Sequence, residues 1–194
     1  MSKNRAIIYV IISALIYGYT PVLCSYSYDL GNNSFSLTFF RSLMVIPILA
    51  VIMAKDKVSF KLEKQEGFKM LFVGISSIFT VLLLYSAYTY IGVGTTTTLH
   101  FLYPLFVILI CHFIYRDKIT KNQIISLIIA MLGIVCFIDL KDLGKVQGMT
   151  MAIVSGITFA IYLACIEKFG LSSMNSYKLS YYLAVISSIG LFVV

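Results

Sequence analysis

"GVGTTTTLHFLYPLFVILICHFIYRDK", residues 92–118, reads as one complete passage across a lipid bilayer. It opens on an uncharged glycine pair and passes through four threonines, a histidine and a proline. It then runs through unbroken apolar residues to an Arg-Asp-Lys edge. Nothing charged stands between Gly92 and Arg116. A bilayer core of about 30 Å needs about 20 apolar residues in a helix, and 94–115 supplies that length. The basic edge marks the side on which the passage ends.

The rest of the chain repeats the pattern. Of its 194 residues 60% are hydrophobic and 12% charged, where a soluble domain carries about a quarter charged residues. The mean hydropathy is +0.95. Seven runs can span: 6–27, 34–54, 68–91, 94–115, 119–139, 148–167 and 176–194. The longest gap, "KDKVSFKLEKQEG" at 55–67, reads as a charged loop, and no soluble domain fits between runs. Lys3 and Arg5 ahead of "AIIYVIISALIYGY" imitate a signal peptide. No A-x-A site follows, and further spans do, so the first run reads as a transmembrane helix. The expectation is an all-α, multi-pass transmembrane helical bundle in a cell membrane, with about seven helices in this chain.

The net charge of +7 suggests nucleic acid, but the basic residues fill the gaps between runs rather than one amphipathic face. With the N-terminus inside, twelve Lys and Arg fall on the inner side: Lys3, Arg5, Lys55, Lys57, Lys61, Lys64, Lys69, Arg116, Lys118, Lys121, Lys168 and Lys178. Lys141 and Lys145 fall outside, and Arg41 lies within a run. Basic residues gather on the cytoplasmic side, so the N-terminus is expected there. The "IGVG" turn is then external, with Gly92 and Gly94 making it and Thr95 to Thr98 capping the fourth helix.

An enzyme is disfavoured. No Asp or Glu lies deep in a run, and Asp29, Asp139 and Glu167 stand at ends. His100 and His112 are twelve residues apart, roughly 18 Å along one helix, too far to share a metal. Cys24, Cys111, Cys136 and Cys165 lie singly in separate runs, as packing cysteines do. No metal and no cofactor are expected. The bilayer and a small-molecule substrate are the expected partners, with a homo-oligomer open and nucleic acid excluded.

Polar residues inside lipid are costly and face protein or a water-filled cavity. Ser13, Tyr17, Thr20 and Cys24 form one stripe on the first helix, and Ser34, Thr38 and Arg41 one on the second. Tyr85, Tyr88 and Thr89 cluster near the end of the third. Thr96, His100 and Tyr103 share a face of the fourth with Pro104, which kinks it. Arg41 and His100 each lie roughly 8–12 Å from the outer helix ends, so the stripes can meet at one depth. Structural readings stand beside these: Arg41 snorkelling, His100 bonded to a neighbouring helix, Ser13 and Thr20 bonded to their own backbone.

There is also an internal echo. "VIISALIYGYTPV" (10–22) aligns with "AIVSGITFAIYLA" (152–164), pairing Ser13 with Ser155, Ala14 with Gly156 and Tyr17 with Phe159. Five runs separate the copies, an odd number, so the second crosses in the opposite sense. That is the inverted repeat common in secondary transporters.

These residues resemble the EamA-type carriers of the drug/metabolite transporter superfamily. "ALIYGYTPV" (14–22) is similar to the family's first-helix signature, with Tyr17-Gly18 where a Trp-Gly pair is usual and Thr20 as the small polar residue. "FFRSL" (39–43) carries the second-helix arginine, Arg41. The block 92–135 has the Pro-Leu of the fourth helix (Pro104-Leu105), an acidic residue in a basic inner loop (Asp117, usually Glu), and Gln123, Ser126 and Gly133 in the fifth. "GMTMAIVSGITFAIYLACIEK" (148–168) resembles the start of a second repeat. The resemblance implies ten helices in two inverted five-helix repeats, so 1–139 would be the first repeat and 140–194 an incomplete second. It implies a carrier of amino-acid-like or other small organic solutes, exporting by alternating access. The alternative is a non-transporting membrane subunit or an inactive fragment of such a carrier. The expected binding residues are Tyr17, Thr20, Arg41, Tyr85, His100, Tyr103, Phe159 and Tyr162. Arg41 would balance an anionic group, the aromatics would pack an apolar side chain, and His100 would bond substrate or shuttle a proton.

Overall fold

The computed structural model describes residues 3–137, 139–142 and 144–192. Residues 1–2 ahead of the first run, 193–194 at the end of the last, position 138 at the end of the fifth, and position 143 in the link after it lie outside the described residues. The chain is all-helical. In order it forms α1 (Lys3–Asp29), α2 (Ser34–Lys55), α3 (Lys64–Ala87), α4 (Val93–His100), α5 (Tyr103–Phe113), α6 (Lys121–Phe137), α7 (Val146–Lys168) and α8 (Ser176–Phe192). Short 3-10 turns, Leu140–Asp142 and Leu171–Ser173, precede α7 and α8. The seven apolar runs are all present, the fourth as two helices.

Five spans are long and apolar enough to cross a membrane: α1 from Ile7, α2, α3, α4 and α5 together as Val93–Phe113, and α7. They run 21 to 24 residues, about 32–36 Å at 1.5 Å per residue, against a hydrocarbon core of about 30 Å. Their outer surfaces carry large exposed hydrophobics, such as Ile7, Leu15, Ile48, Phe72, Phe113 and Val146. An apolar surface that extensive is stable only against lipid tails. This is a multi-pass membrane bundle.

The centre of the bundle is α7. It lies chiefly against α3, then against α5 and α4, while α8 packs on α2 and α3. Ala152, Gly156, Ala160 and Ala164 recur every fourth residue on α7, and all are buried. Lipid supplies no hydrophobic drive between helices, so close approach along small residues must hold them together. Hydroxyls add to it. Ser76 donates to the Thr158 carbonyl at 2.8 Å, and the Thr80 and Thr158 hydroxyls meet at 2.8 Å between α3 and α7. By contrast α1 touches little of the bundle beyond a narrow contact with α4, and its apolar side chains are largely exposed.

Two local readings need correction. The segment 64–67 is not loop. Glu63 and Glu66 form a reciprocal capping box that starts α3 at Lys64. The threonines do not cap the fourth span either. Tyr88 to Tyr90 make the turn, Gly92 is the N-cap and Gly94 lies inside α4. Thr96 and Thr97 bond back to the Gly92 and Val93 carbonyls, at 3.0 and 2.7 Å. Helical threonines have a carbonyl one turn back within reach, and these take it. The donor at the start of α4 is met from elsewhere, by Asp142, whose Oδ2 accepts from the Gly92 amide at 3.1 Å.

Candidate functional site

The fourth span breaks where Pro104 sits. Proline has no amide hydrogen and its ring crowds the preceding turn, so the helix cannot run through. Phe101 and Leu102 form the turn between α4 and α5: Leu102 donates to Leu99, and Leu105 donates to Leu102 rather than one residue further back. Gly156 of α7 stands against this break. A Cβ there would lie 3.0 Å from the His100 carbonyl oxygen and 3.6 Å from the Tyr103 nitrogen. Glycine lets α7 touch the interrupted backbone itself.

His100 is the last residue of α4 and is 8% exposed. Its Nδ1 lies 2.9 Å from the Ser155 hydroxyl of α7, which is wholly buried and donates to the Ala152 carbonyl at 2.6 Å. The His100 ring meets Phe159 at 5.3 Å and Tyr103 at 5.9 Å between centroids. Tyr103 stands edge-on to Phe159 at 4.8 Å, and Tyr162 stacks on Phe159 at 5.6 Å. Tyr17 of α1 is largely exposed and makes none of these ring contacts. Four of the expected residues, His100, Tyr103, Phe159 and Tyr162, thus form one continuous wall across α4, α5 and α7.

A second group joins α1, α2 and α3. The Arg41 guanidinium donates to the Tyr85 hydroxyl, so this intramembrane cation has a protein partner. Tyr85 is buried with Cys24 and Tyr88, and stacks on Tyr88 at 5.9 Å. Thr20 joins neither group through its hydroxyl, which bonds the Ile16 carbonyl of its own helix at 2.8 Å. Ser155, which orients His100, was absent from the expected residues. Its pairing with Ser13 in the internal echo was the one signal pointing to it.

The two ends of the bundle are tied differently. At the lysine-rich end, Lys168 pairs with Asp117 at 2.6 Å, Lys69 donates to the Phe169 carbonyl at 3.0 Å and Lys178 donates to the Lys61 carbonyl at 2.6 Å. A cavity of about 530 Å³ opens there, bordered by Glu63, Glu66, Lys69, Asn175 and Lys178, away from the aromatic wall. At the other end, Asp142 holds the start of α4 and pairs with Lys145 at 2.8 Å, and Gln147 donates to the Tyr90 hydroxyl at 3.1 Å. Lys145, a Thr95 hydroxyl and the Gly92 amide keep the Asp142 carboxyl below its ordinary range, the lysine contributing most. Among the described residues no cluster of metal-ligating side chains occurs.

A lipid-facing helical bundle with a broken span and polar residues gathered at the break is the build of a membrane transporter. The comparisons agree, and the chain belongs to the EamA-like transporter family, whose model matches residues 4–138. It is similar to an uncharacterized transporter of Archaeoglobus fulgidus, 31% identical over 89 residues, covering 46% of this chain and 30% of the relative. It is also similar to the uncharacterized transporter YxxF of Bacillus subtilis, 25% identical over 169 residues, covering 86% of this chain and 52% of the relative. The chain therefore spans about half the length of the longer-matching curated relative, and less of the other. No solved structure matches it.

Proposed function

We propose that this chain is the solute-binding first repeat, with the opening of an inverted second repeat, of a carrier for small amino-acid-like solutes. It works by alternating access, in the export direction. The observation that carries this reading is the break at Phe101–Leu102, which sets His100 against the aromatic face of α7. Broken helices near the repeat interface supply free backbone and polar groups to a solute, and α7 is the first helix of the second repeat. Arg41, bonded by a neutral tyrosine rather than an acid, keeps its charge available to a carboxylate. The N-terminus is cytoplasmic on the lysine count.

The test is to reconstitute the chain as given beside a version extended to carry a complete second repeat. The longer form should show saturable flux of an amino-acid-like solute. Arg41→Gln should lower it about tenfold or more, as loss of a charged hydrogen bond of about 1.5–3 kcal/mol implies. The 194-residue chain alone should insert without transporting, because alternating access moves one repeat against the other. Saturable flux by the short form would point instead to a homo-oligomer. Absence of saturable flux from the long form would reject the carrier reading.

A further inference from the structure

We propose that the wall formed by α4, α5 and α7 is a subsite for a protonated amine, with His100 Nε2 as its hydrogen-bond acceptor. The proposal deepens the carrier reading and rests on it for its purpose, but its chemistry follows from the bonds around one ring.

A serine hydroxyl has a single proton to give. In Ser155 that proton lies toward the Ala152 carbonyl, 2.6 Å away. The 2.9 Å contact between Ser155 Oγ and His100 Nδ1 then holds together in one way: the imidazole donates and the serine accepts. The Ser155 backbone is pinned in turn, since its carbonyl accepts from the Thr158 hydroxyl at 3.0 Å. A neutral imidazole carries one N–H, so with Nδ1 protonated Nε2 presents a lone pair. Among the described residues no carboxylate stands against the ring to favour the cation, and Nε2 has no partner. Nor is Nε2 sealed away, since the fully enclosed unpartnered side-chain atoms are Tyr28 Oη and Ser188 Oγ.

An acceptor on a ring set among aromatic neighbours selects its ligand. A carboxylate brings only lone pairs and is repelled by Nε2. An ammonium brings three donors and a charge that aromatic faces attract. Tyr103, Phe159 and Tyr162 supply those rings, and no lysine or arginine among the described residues stacks on them. Arg41 lies in the separate group with Tyr85.

The experiment uses this chain in lipid bilayers, ring-labelled with nitrogen-15 histidine and carrying His112→Gln so that His100 alone is seen. Nitrogen NMR should show a protonated Nδ1 and a bare Nε2. The Nε2 signal should move on titration with 2-phenylethylammonium and stay still with 3-phenylpropanoate, which has the same ring and an acceptor end. A bare Nδ1, movement with the carboxylate, or no movement with either probe overturns the proposal. Two variants separate ligand binding from a structural bond. In His100→Asn the amide nitrogen keeps the Nδ1 donor and loses the acceptor. In His100→Gln the amide oxygen takes the place of Nε2. Stabilisation by the ammonium probe should weaken roughly tenfold in apparent Kd for Asn and stay within about threefold for Gln, a charged hydrogen bond being worth about that much. The reverse order would make the Ser155 bond the residue's purpose. None of these readouts needs flux, so a failed transport assay leaves them standing.

Discussion

Adding one methyl group at Gly156 should loosen the bundle, and adding the same methyl at Gly133 should tighten it. Both glycines lie inside helices, where replacing glycine by alanine stabilises by roughly 0.5–1 kcal/mol through the backbone alone. At Gly133 of α6 the new carbon meets nothing within 4 Å, so the gain stands. At Gly156 it meets the His100 carbonyl oxygen at 3.0 Å and Phe106 Cε2 at 3.6 Å. The oxygen belongs to backbone and cannot swing aside, so α7 and the α4–α5 break must part by a few tenths of an ångström. Overpacking of this kind costs about 1–3 kcal/mol, and after the helical gain a net loss of about 1 kcal/mol remains. The two variants should therefore differ by roughly 1.5–2 kcal/mol, at least a tenfold difference in folding equilibrium. Reversible unfolding of the chain in mixed micelles measures both against the parent. Equal or parallel gains at the two positions would refute the close contact between α7 and the break, and with it the geometry that places His100 on Ser155.

Three further outcomes follow from the same structure. Asp142→Asn should destabilise the link between α4 and α7 by about 1 kcal/mol, by neutralising the acceptor for Gly92 and Lys145. Because the folded state holds this carboxyl below its ordinary range, its contribution is complete above the unfolded pKa and lost as pH falls through the folded one. The acid limb of the parent's stability curve should flatten in the variant; an unchanged limb would discount the interaction. Cysteines replacing Lys57 or Lys61 in a cysteine-free background should be shielded from an impermeant thiol reagent added outside, and one replacing Lys141 should react; the opposite pattern would invert the orientation. A double-mutant cycle on Thr80 and Thr158, both to valine, should give a coupling of about 0.6 kcal/mol, and zero coupling would remove that bond from the α3–α7 contact.

The helices were legible because lipid imposes length and apolarity on each span. The runs 34–54 and 148–167 agree with Ser34–Lys55 and Val146–Lys168 to within two residues. What went astray was local and polar. The charged stretch before α3 hid a capping box whose signature, Glu63 with Glu66, was present but submerged in a basic loop. The threonine run suggested caps, whereas β-branched hydroxyls inside a helix find their own carbonyls first. Pro104 announced the break. What stood opposite it was not legible, because Ser155 and Gly156 lie more than fifty residues further on and are recognisable only once α7 is in place. Half of the expected binding residues came together on one wall because polar and aromatic side chains in lipid have few other places to go.

The internal echo gives this wall a consequence for α1. Ser155, Gly156 and Phe159 each act on the break: one bonds His100, one admits its backbone, one packs its ring. Their partners in the echo are Ser13, Ala14 and Tyr17, which stand exposed on α1. In the two-repeat carrier proposed above, an inverted copy would set those three against a second broken helix, one that crosses the membrane the other way and plays the part of α4 and α5. The Bacillus subtilis relative is about twice as long as the part it shares with this chain. The demand on the chemistry of that second helix is specific. Ala14 is one methyl larger than Gly156, so the second break must stand slightly further from α1 than the first stands from α7. The two halves would then differ in tightness at their most sensitive contact. In the carrier proposed above such an inequality would favour resting with one face closed, and Ala14→Gly in a form carrying both repeats should shift the resting state toward the other. Cysteine accessibility from the two sides, measured at Tyr17→Cys and Phe159→Cys, reads that shift directly. Identical accessibility with Ala14 and with glycine would show that α1 and α7 do not play equivalent parts.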